Sequence, residues 1–398
     1  MKHLLLGTVA ATALAGAAYA ASHTSEVKVG ILLGYTGPIE SLTPPMADSA
    51  ELALKEMNDS GMLPDGKMFV PVRADSTCVD AGAATAAAER LVTSDGVAAI
   101  MGADCSGVTG AVLANVAVPN GVTMISPSAT SPALSTAEDN GLFFRTSPSD
   151  ARQGAVLAEI LASKGINEVA VTYTNNDYGK GLSDSFISNF EAAGGTVTLN
   201  APHEDGKADY SAEIGALASA GGEVLAVLGY ADQGGKGMIQ AALDSGAFDT
   251  FMMGDGMFAD SLMESLGADM TGSFGAVPWA EGDGTDAFNA IAEAAGVNFE
   301  SSFTRESYDA AALLGLAMVA SGEWTGSGIA GAVLDVANAP GEPILPGELG
   351  KAIEILKNGG EIDYVGATNV ELIGPGEAAG TYREYTVENG DYSTVMFR

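Results

Sequence analysis

The sequence predicts an α/β protein built as two doubly wound parallel-sheet lobes, and three observations carry that expectation. β-Branched runs alternate with helical patterns from Glu26 to Val277, the rhythm of a parallel sheet with helices on both faces. The rhythm restarts once, after Phe144-Arg145-Thr146-Ser147-Pro148, so two units of similar size are expected. About 378 residues remain once a leader is set aside, enough for two ordinary domains.

The leader comes first. Lys2 and His3 make a short positive start, Leu4 to Gly16 is an apolar or small-residue run, and Ala18-Tyr19-Ala20 is an A-x-A cleavage site. That order describes a secretory signal peptide over residues 1–20, cut after Ala20. The run is too short to span a bilayer of ~30 Å. The mature chain is therefore expected outside the cytoplasm, in the periplasm.

In the first unit, Val27–Leu33 is a short β-branched strand followed by turn residues through Pro38. Met46–Asn58 follows as a helix, with Leu52, Leu54 and Met57 as its apolar positions. Met68–Arg73 reads as a strand, Ala81–Thr93 as a helix, Val97–Met101 as a buried strand, Thr109–Val118 as a helix and Val122–Ile125 as a strand. The second unit runs helix Gly154–Ser163, strand Val169–Thr174, helix Leu182–Ala193 and strand Thr196–Leu199. It continues with helix Ala212–Ala220, strand Val224–Leu228, helix Met238–Leu243 and strand Phe251–Met253.

No long Pro- or Ser-rich linker separates the units, so the junction is a short hinge. Helices at Ala287–Ala295, Ser307–Ala320 and Leu349–Lys357 are too few to bury a core of their own. They must pack on an earlier lobe, which makes the chain cross the hinge more than once. Thr381–Val387 and Tyr392–Phe397 read as a hairpin around Asn389-Gly390.

Composition narrows the function. Removing Lys2 from the 17 basic residues leaves 16 against 51 acidic ones, a formal charge of −35 on the mature chain. Such a surface repels nucleic acid and anionic headgroups. No D-x-[DN]-x-[DN]-G loop gives the acids a calcium role. Cys78 and Cys105 are an even pair in an oxidising compartment, which predicts one disulfide.

Enzyme signatures are missing too. The mature chain has two histidines, His23 near its start and His203 in an expected loop, too few and too scattered for a Ser-His-Asp triad. No metal-ligand spacing occurs, and no cofactor is expected. Gly229–Lys236 superficially resembles a phosphate loop, but Gly235 stands where that motif needs Lys.

Ligands of open parallel sheets bind beyond the carboxyl ends of the strands. In the first unit that rule selects Gly34–Pro38, Asp75–Cys78, Gly102–Gly107 and Ser126–Thr130. In the second it selects Asn175–Gly179, Gly229–Gln233 and Gly254–Met257. Ser106 opens a helix, where a hydroxyl either caps the backbone or offers a site to a carboxylate.

At these loops the sequence resembles the periplasmic binding proteins for leucine, isoleucine and valine, of type I fold, which serve hydrophobic amino-acid ABC importers. The resemblance is carried by VKVGILLGYTGP (27–38), ADSTCVDAGAA (74–84), IMGADCSGVTGA (100–111), MISPSATSPAL (124–134), NNDYGKGL (175–182), VLGYADQGGKG (227–237) and FMMGDG (251–256). It implies lobes formed by 26–145 with 278–380 and by 146–277 with 381–398. It places the ligand carboxylate at Ser106, beside the disulfide cysteine Cys105, and at Ser128 and Thr130 with the Ala129 backbone between them. It places the ligand ammonium at Asp255 and aromatic walls at Tyr178, Tyr230 and Phe303.

The implied function is extracytoplasmic capture of a hydrophobic α-amino acid without chemistry, followed by delivery to an ABC permease and its ATPases. Relatives also bind amides or aromatic acids, and a sensor lobe for a chemotaxis receptor is the other reading. Three departures bear on the side-chain end of the site: Leu42 stands where the branched-chain binders carry an aromatic, Asp104 replaces an apolar residue, and Trp279 is expected at the pocket mouth.

The charge makes one prediction by itself. Self-repulsion relaxes as salt screens it, so the melting temperature should rise between low and roughly molar NaCl. A flat or falling melting temperature in a thermal scan contradicts it.

Overall fold

The computed structural model describes residues 25–398. The leader and its cleavage site lie outside the described residues.

Both halves of the chain begin with the expected alternation. The first gives strands β1 (Ser25–Leu33), β2 (Lys67–Asp75), β3 (Ala99–Gly102), β4 (Thr123–Ser126) and β5 (Phe143–Pro148). The second gives β6 (Glu168–Thr174), β7 (Thr196–His203), β8 (Val224–Leu228), β9 (Phe251–Met253) and β10 (Phe274–Pro278). Two short strands, β11 (Glu342–Ile344) and β12 (Ile362–Tyr364), pair with each other. They are followed by β13 (Leu372–Ile373), β14 (Glu377–Ala378) and the hairpin β15 (Tyr382–Glu388) and β16 (Asp391–Phe397).

The strands form two sheets of seven among the described residues, ordered β13-β14-β5-β4-β3-β1-β2 and β16-β15-β10-β9-β8-β6-β7. The parallel cores share one order, in which the chain steps outward from its first strand and then reverses past it. The central strands are continuous apolar runs: β8 is Val-Leu-Ala-Val-Leu and wholly buried, as strands covered on both faces must be. The chain passes between sheets after β5, after β10 and between β14 and β15. The helix Thr304–Ser321, buried nearly throughout, packs on the helix Thr43–Asp59 of the first sheet.

Local chemistry explains the helix ends. Asp80 accepts from the N–H groups of Gly82 and Ala83, and Asn176 from that of Gly179, each capping a helix start. Ser149 caps the helix Asp150–Lys164, which ends on Gly165 at φ 72°.

The structure extends or corrects several sequence expectations. Residues 143–148, expected as a junction, are the buried strand β5. Residues 274–278 form β10, and the helices Asp260–Leu266 and Ser327–Ala337 add two elements with no assignment from sequence. His203 is not in a loop. It ends β7, is buried, and pairs through Nδ1 with Thr172 Oγ1 at 2.8 Å. The strand runs on past Leu199 through Pro202, which β7 accommodates because it is an edge strand, where a residue without an N–H is tolerated.

Cys78, following β2, and Cys105, following β3, form the expected disulfide across a sequence separation of 27 residues. Closing a loop of that length stabilises the fold by ~3.5 kcal/mol on the chain-entropy account. Reduction should therefore lower the urea midpoint of the protein, and equal midpoints with and without reductant would count against a stabilising role.

Candidate functional site

The strand order reverses between β1 and β3 in the first sheet and between β6 and β8 in the second. Loops leaving neighbouring strands at such a point diverge and open a crevice. The two crevices face each other across a narrow cavity lined from both sheets.

The first sheet contributes Ile39 and Leu42 after β1, Met46 on the next helix, Asp104, Cys105 and Ser106 after β3, and Ser128 after β4. The second contributes Tyr178 after β6, Tyr230 after β8, and Asp255 with Gly256 after β9. Phe303 closes the wall from the segment before Thr304–Ser321. Its φ of 61° is costly for a bulky residue. Two hydrogen bonds hold the turn, from Ser302 Oγ to Phe258 O and from Ser307 Oγ to Phe303 O.

Polar groups converge on two parts of this wall. Ser106 is the first helical residue rather than the cap, which is Cys105. Its Oγ accepts from the Ser131 N–H at 3.1 Å, leaving the hydroxyl hydrogen free to point into the cavity. Ser128 Oγ donates to Asp104 O at 3.0 Å. Opposite, the Tyr178 hydroxyl donates to Asp255 Oδ1 at 2.6 Å and accepts from the Gly256 N–H at 3.1 Å. A Cβ on Gly256 would stand 2.6 Å from Gly229 O and 3.0 Å from that hydroxyl, so a side chain there would push the tyrosine aside. Tyr178 and Tyr230 stack with centroids 5.1 Å apart. Burial pushes the Asp255 carboxyl up to about 6, against the pull of the Tyr178 hydrogen bond.

The structure thus brings Cys105, Ser106, Ser128, Tyr178, Tyr230, Asp255 and Phe303 around one cavity. Ala129 and Thr130 lie buried behind Ser128 rather than on the wall, and the Ala129 N–H is already given to Ser126 Oγ. Leu42 and Asp104 line the cavity, but Trp279 does not. Trp279 sits where the chain leaves β10, with the Arg305 and Arg383 guanidinium groups 4.0 and 4.7 Å from its ring centroid. Asp104 is fully buried, with Oδ2 accepting from the Gly34 N–H at 2.6 Å and Oδ1 from Ser76 Oγ at 2.8 Å. Burial raises its pKa while those bonds lower it.

Sequence reasoning did not pick out Ile39 and Met46, or Arg145 behind the wall. Arg145, 1% exposed, donates through Nη1 to Ala129 O and Ser131 O at 2.9 Å each, and its Nη2 pairs with Glu377. It shapes the Ser128–Ser131 loop from beneath. Beside the cavity the two halves are bridged by Ser41 N–H to Asp232 Oδ2 at 2.8 Å, Ser41 Oγ with Ser261 Oγ at 3.2 Å and Asp232 N–H to Pro38 O at 3.1 Å. Among the described residues there is no cluster of metal-ligating side chains, and no helix is long and apolar enough to cross a membrane.

Comparison with known proteins agrees with this fold. The family described as periplasmic binding protein matches residues 26–346. The chain is 31% identical to a Leu/Ile/Val-binding protein homologue of Brucella melitensis over 59% of its own length and 62% of the relative's, so that match spans less than two thirds of the relative. It is 30% identical to BasB, the substrate-binding protein of a chemotactic signal transduction system in Halobacterium salinarum, over 87% of this chain and 83% of that one. Among solved structures, the branched-chain amino acid transporter substrate-binding protein LivJ of Streptococcus pneumoniae, in complex with isoleucine, aligns at a TM-score of 0.76 and 22% identity, covering 93% of this chain and 99% of that one. An ABC-transporter solute-binding protein from R. palustris, in complex with 4-hydroxybenzoate, aligns at 0.75 and 17%, covering 94% and 97%.

Arg145→Ala should destabilise the protein by about 3–5 kcal/mol, since it leaves Glu377 and two buried carbonyls without their partner. Urea unfolding measures this, and a loss below about 1 kcal/mol would show that the Arg145–Glu377 pair is not needed.

Proposed function

Since the chain belongs to the periplasmic binding protein family, we propose that it is the extracytoplasmic substrate-binding protein of an ABC importer and captures a branched-chain or other hydrophobic α-amino acid between its lobes. The reading rests on Asp255. Its carboxyl is buried in the cavity wall with the Tyr178 hydroxyl as its side-chain partner, and no Lys, Arg or His lines the cavity. A desolvated carboxylate is costly unless it meets a cation. A ligand ammonium supplies that cation.

The other ligand groups find matching walls. The Ser106 hydroxyl, whose hydrogen is free, lines the cavity from the sheet opposite Asp255 and suits a carboxylate. Ile39, Leu42, Met46 and Phe303 form an apolar compartment for a side chain of limited size. A zwitterion bonded to both walls favours the closed arrangement of the lobes, 26–145 with 278–380 and 146–277 with 381–398, about the three crossings. Release from the closed form then requires an ABC permease and its ATPases, and the leader directs the chain to the periplasm.

A second reading, substrate-binding for a chemotaxis receptor, is favoured by the BasB likeness, which spans 87% of this chain. It changes the partner and not the site.

Calorimetry should show leucine, isoleucine or valine binding far more tightly than their 2-oxo acids, and Asp255→Ala should cost about 2–5 kcal/mol of affinity, as for half of a buried charge pair. Equal affinity for 2-oxo acids or benzoate, or an unchanged Asp255→Ala, means the ligand carries no essential amine.

A further inference from the structure

Asp104 lines the cavity, yet ligand capture as described so far gives it no part. It is 1% exposed, and every oxygen it carries is spent on a different loop of the first sheet. Oδ2 accepts from the Gly34 N–H after β1 at 2.6 Å, Oδ1 from the Ser76 hydroxyl after β2 at 2.8 Å, and the backbone O from the Ser128 hydroxyl after β4 at 3.0 Å. Asp104 itself follows β3. Four strand ends therefore meet at one residue. A carboxylate can hold two donors at once, through charge-assisted bonds about twice as strong as those between neutral groups.

These ties are not equal. Cys105, the next residue, is bonded to Cys78, so the loops after β2 and β3 are already joined covalently. Ser128 bonds to the Asp104 backbone and not to its side chain. What the side chain alone adds is Gly34. That residue opens the segment 34–42, which carries Ile39 and Leu42 of the apolar compartment. The same segment reaches Asp232, after β8, through Pro38 and Ser41. Gly34 O in turn accepts from the Thr43 hydroxyl at 3.1 Å, at the start of the helix that brings Met46 to the cavity. A second tie to the segment, from Thr36 Oγ1 to Asp75 Oδ2 at 2.7 Å, lies at an exposed position where water competes. Space around Gly34 is tight, since a Cβ there would stand 3.1 Å from Asp104 Oδ2 and 3.1 Å from the Cys78 backbone N.

We infer that Asp104 is a positioning residue for side-chain selection: through Gly34 it sets the 34–42 segment, and with it the apolar compartment, against the Ser106 end of the cavity. Ser106 is two residues along the chain, so one short stretch fixes both the donor for a carboxylate and the place of the compartment. The acid works through other residues and needs no contact of its own with the ligand. The inference rests on the amino-acid reading above and adds which residue holds the compartment in shape.

Losing the carboxyl leaves the buried Gly34 N–H and Ser76 hydroxyl without their acceptor and frees the segment to shift. Burying a leucine side chain is worth at least about tenfold in affinity, and a displaced compartment forfeits that increment. Alanine hardly enters the compartment and has little to lose. Asp104→Asn keeps the connection, because an amide oxygen can accept from the Gly34 N–H while the amide NH2 donates to the Ser76 hydroxyl oxygen.

Displacement calorimetry compares leucine and alanine on the wild type, Asp104→Ala and Asp104→Asn. We expect Asp104→Ala to lose about tenfold or more for leucine with little change for alanine, and Asp104→Asn to restore the preference. Equal losses for both amino acids, an unchanged leucine affinity, or Asp104→Asn no better than Asp104→Ala overturn the proposal. Gly34→Ala crowds the same contact with the acid still in place and should show the same selective loss. It decides the matter if Asp104→Ala does not fold, and wild-type selectivity in Gly34→Ala counts against the proposal. Hydrogen exchange of the ligand-free proteins tests the tie without any ligand. Segment 34–42 should exchange faster in Asp104→Ala than in the wild type, while segment 175–182 of the second lobe keeps its rate. Unchanged exchange at 34–42 overturns the proposal even if no amino acid binds. Failure of leucine, isoleucine and valine to bind the wild type would instead sink the functional reading.

Discussion

In a parallel sheet every strand ends on the same side, so its connecting loops fall at one edge, and the largest gap among them opens where the strand order reverses. Two such sheets meet here edge to edge, joined by three chain crossings and ordered alike. Each side of the cavity is then the product of its own sheet: hydroxyls and apolar side chains after β1, β3 and β4, aromatics and an acid after β6, β8 and β9. The cavity exists only while the two edges face each other.

Most of the acid in this chain lies on its surface, but a few carboxyls are buried, and they are kept in different ways. Asp309 accepts from the N–H groups of Ala367 and Thr368 and from the Tyr364 and Thr368 hydroxyls, a full complement that fixes the 364–368 turn. Asp104 is held by Gly34 and Ser76 and ties the β1 and β2 loops to the disulfide. These acids act as fasteners. Asp255 is different, because it lines the cavity with the Tyr178 hydroxyl on one oxygen and no Lys, Arg or His on the wall. Burial alone does not separate a structural acid from one that awaits a partner. Counting the donors around it does.

Much of the fold was legible in the sequence because its parallel strands are apolar runs bounded by turn residues, and β8 and β9 fall where those runs fall. β5 was hidden by its own function. Arg-Thr-Ser in a strand reads as loop, yet the Arg145 guanidinium and the Thr146 hydroxyl are spent on Ala129 O, Ser131 O and Glu306 O inside the protein. Trp279 was misplaced for a related reason. An aromatic after a strand end suggests a pocket wall, but two arginines from separate segments converge on its faces. Ser106, Ser128, Tyr178, Tyr230 and Asp255 could be named because they follow strand ends in recognisable motifs. Ile39 and Met46 could not, since their contact with the site depends on how the turn and helix after β1 lie.

The bonds across the cavity mouth set a limit on what a ligand must do. Ser41 and Pro38 on one side join Asp232 and Ser261 on the other through a few hydrogen bonds at mostly exposed positions, each worth about 0.5–1.5 kcal/mol at most when water competes. Such a latch biases closure but leaves the open form within reach. A ligand shifts that balance only by the difference in its affinity for the two forms. A group bonded to one wall alone contributes equally to both and shifts nothing. A molecule with opposite charges at its two ends, one for Ser106 and one for Asp255, engages the second wall only on closure. On the proposed function, the separation of donors and acid onto opposite sheets is what would couple binding to a change of shape.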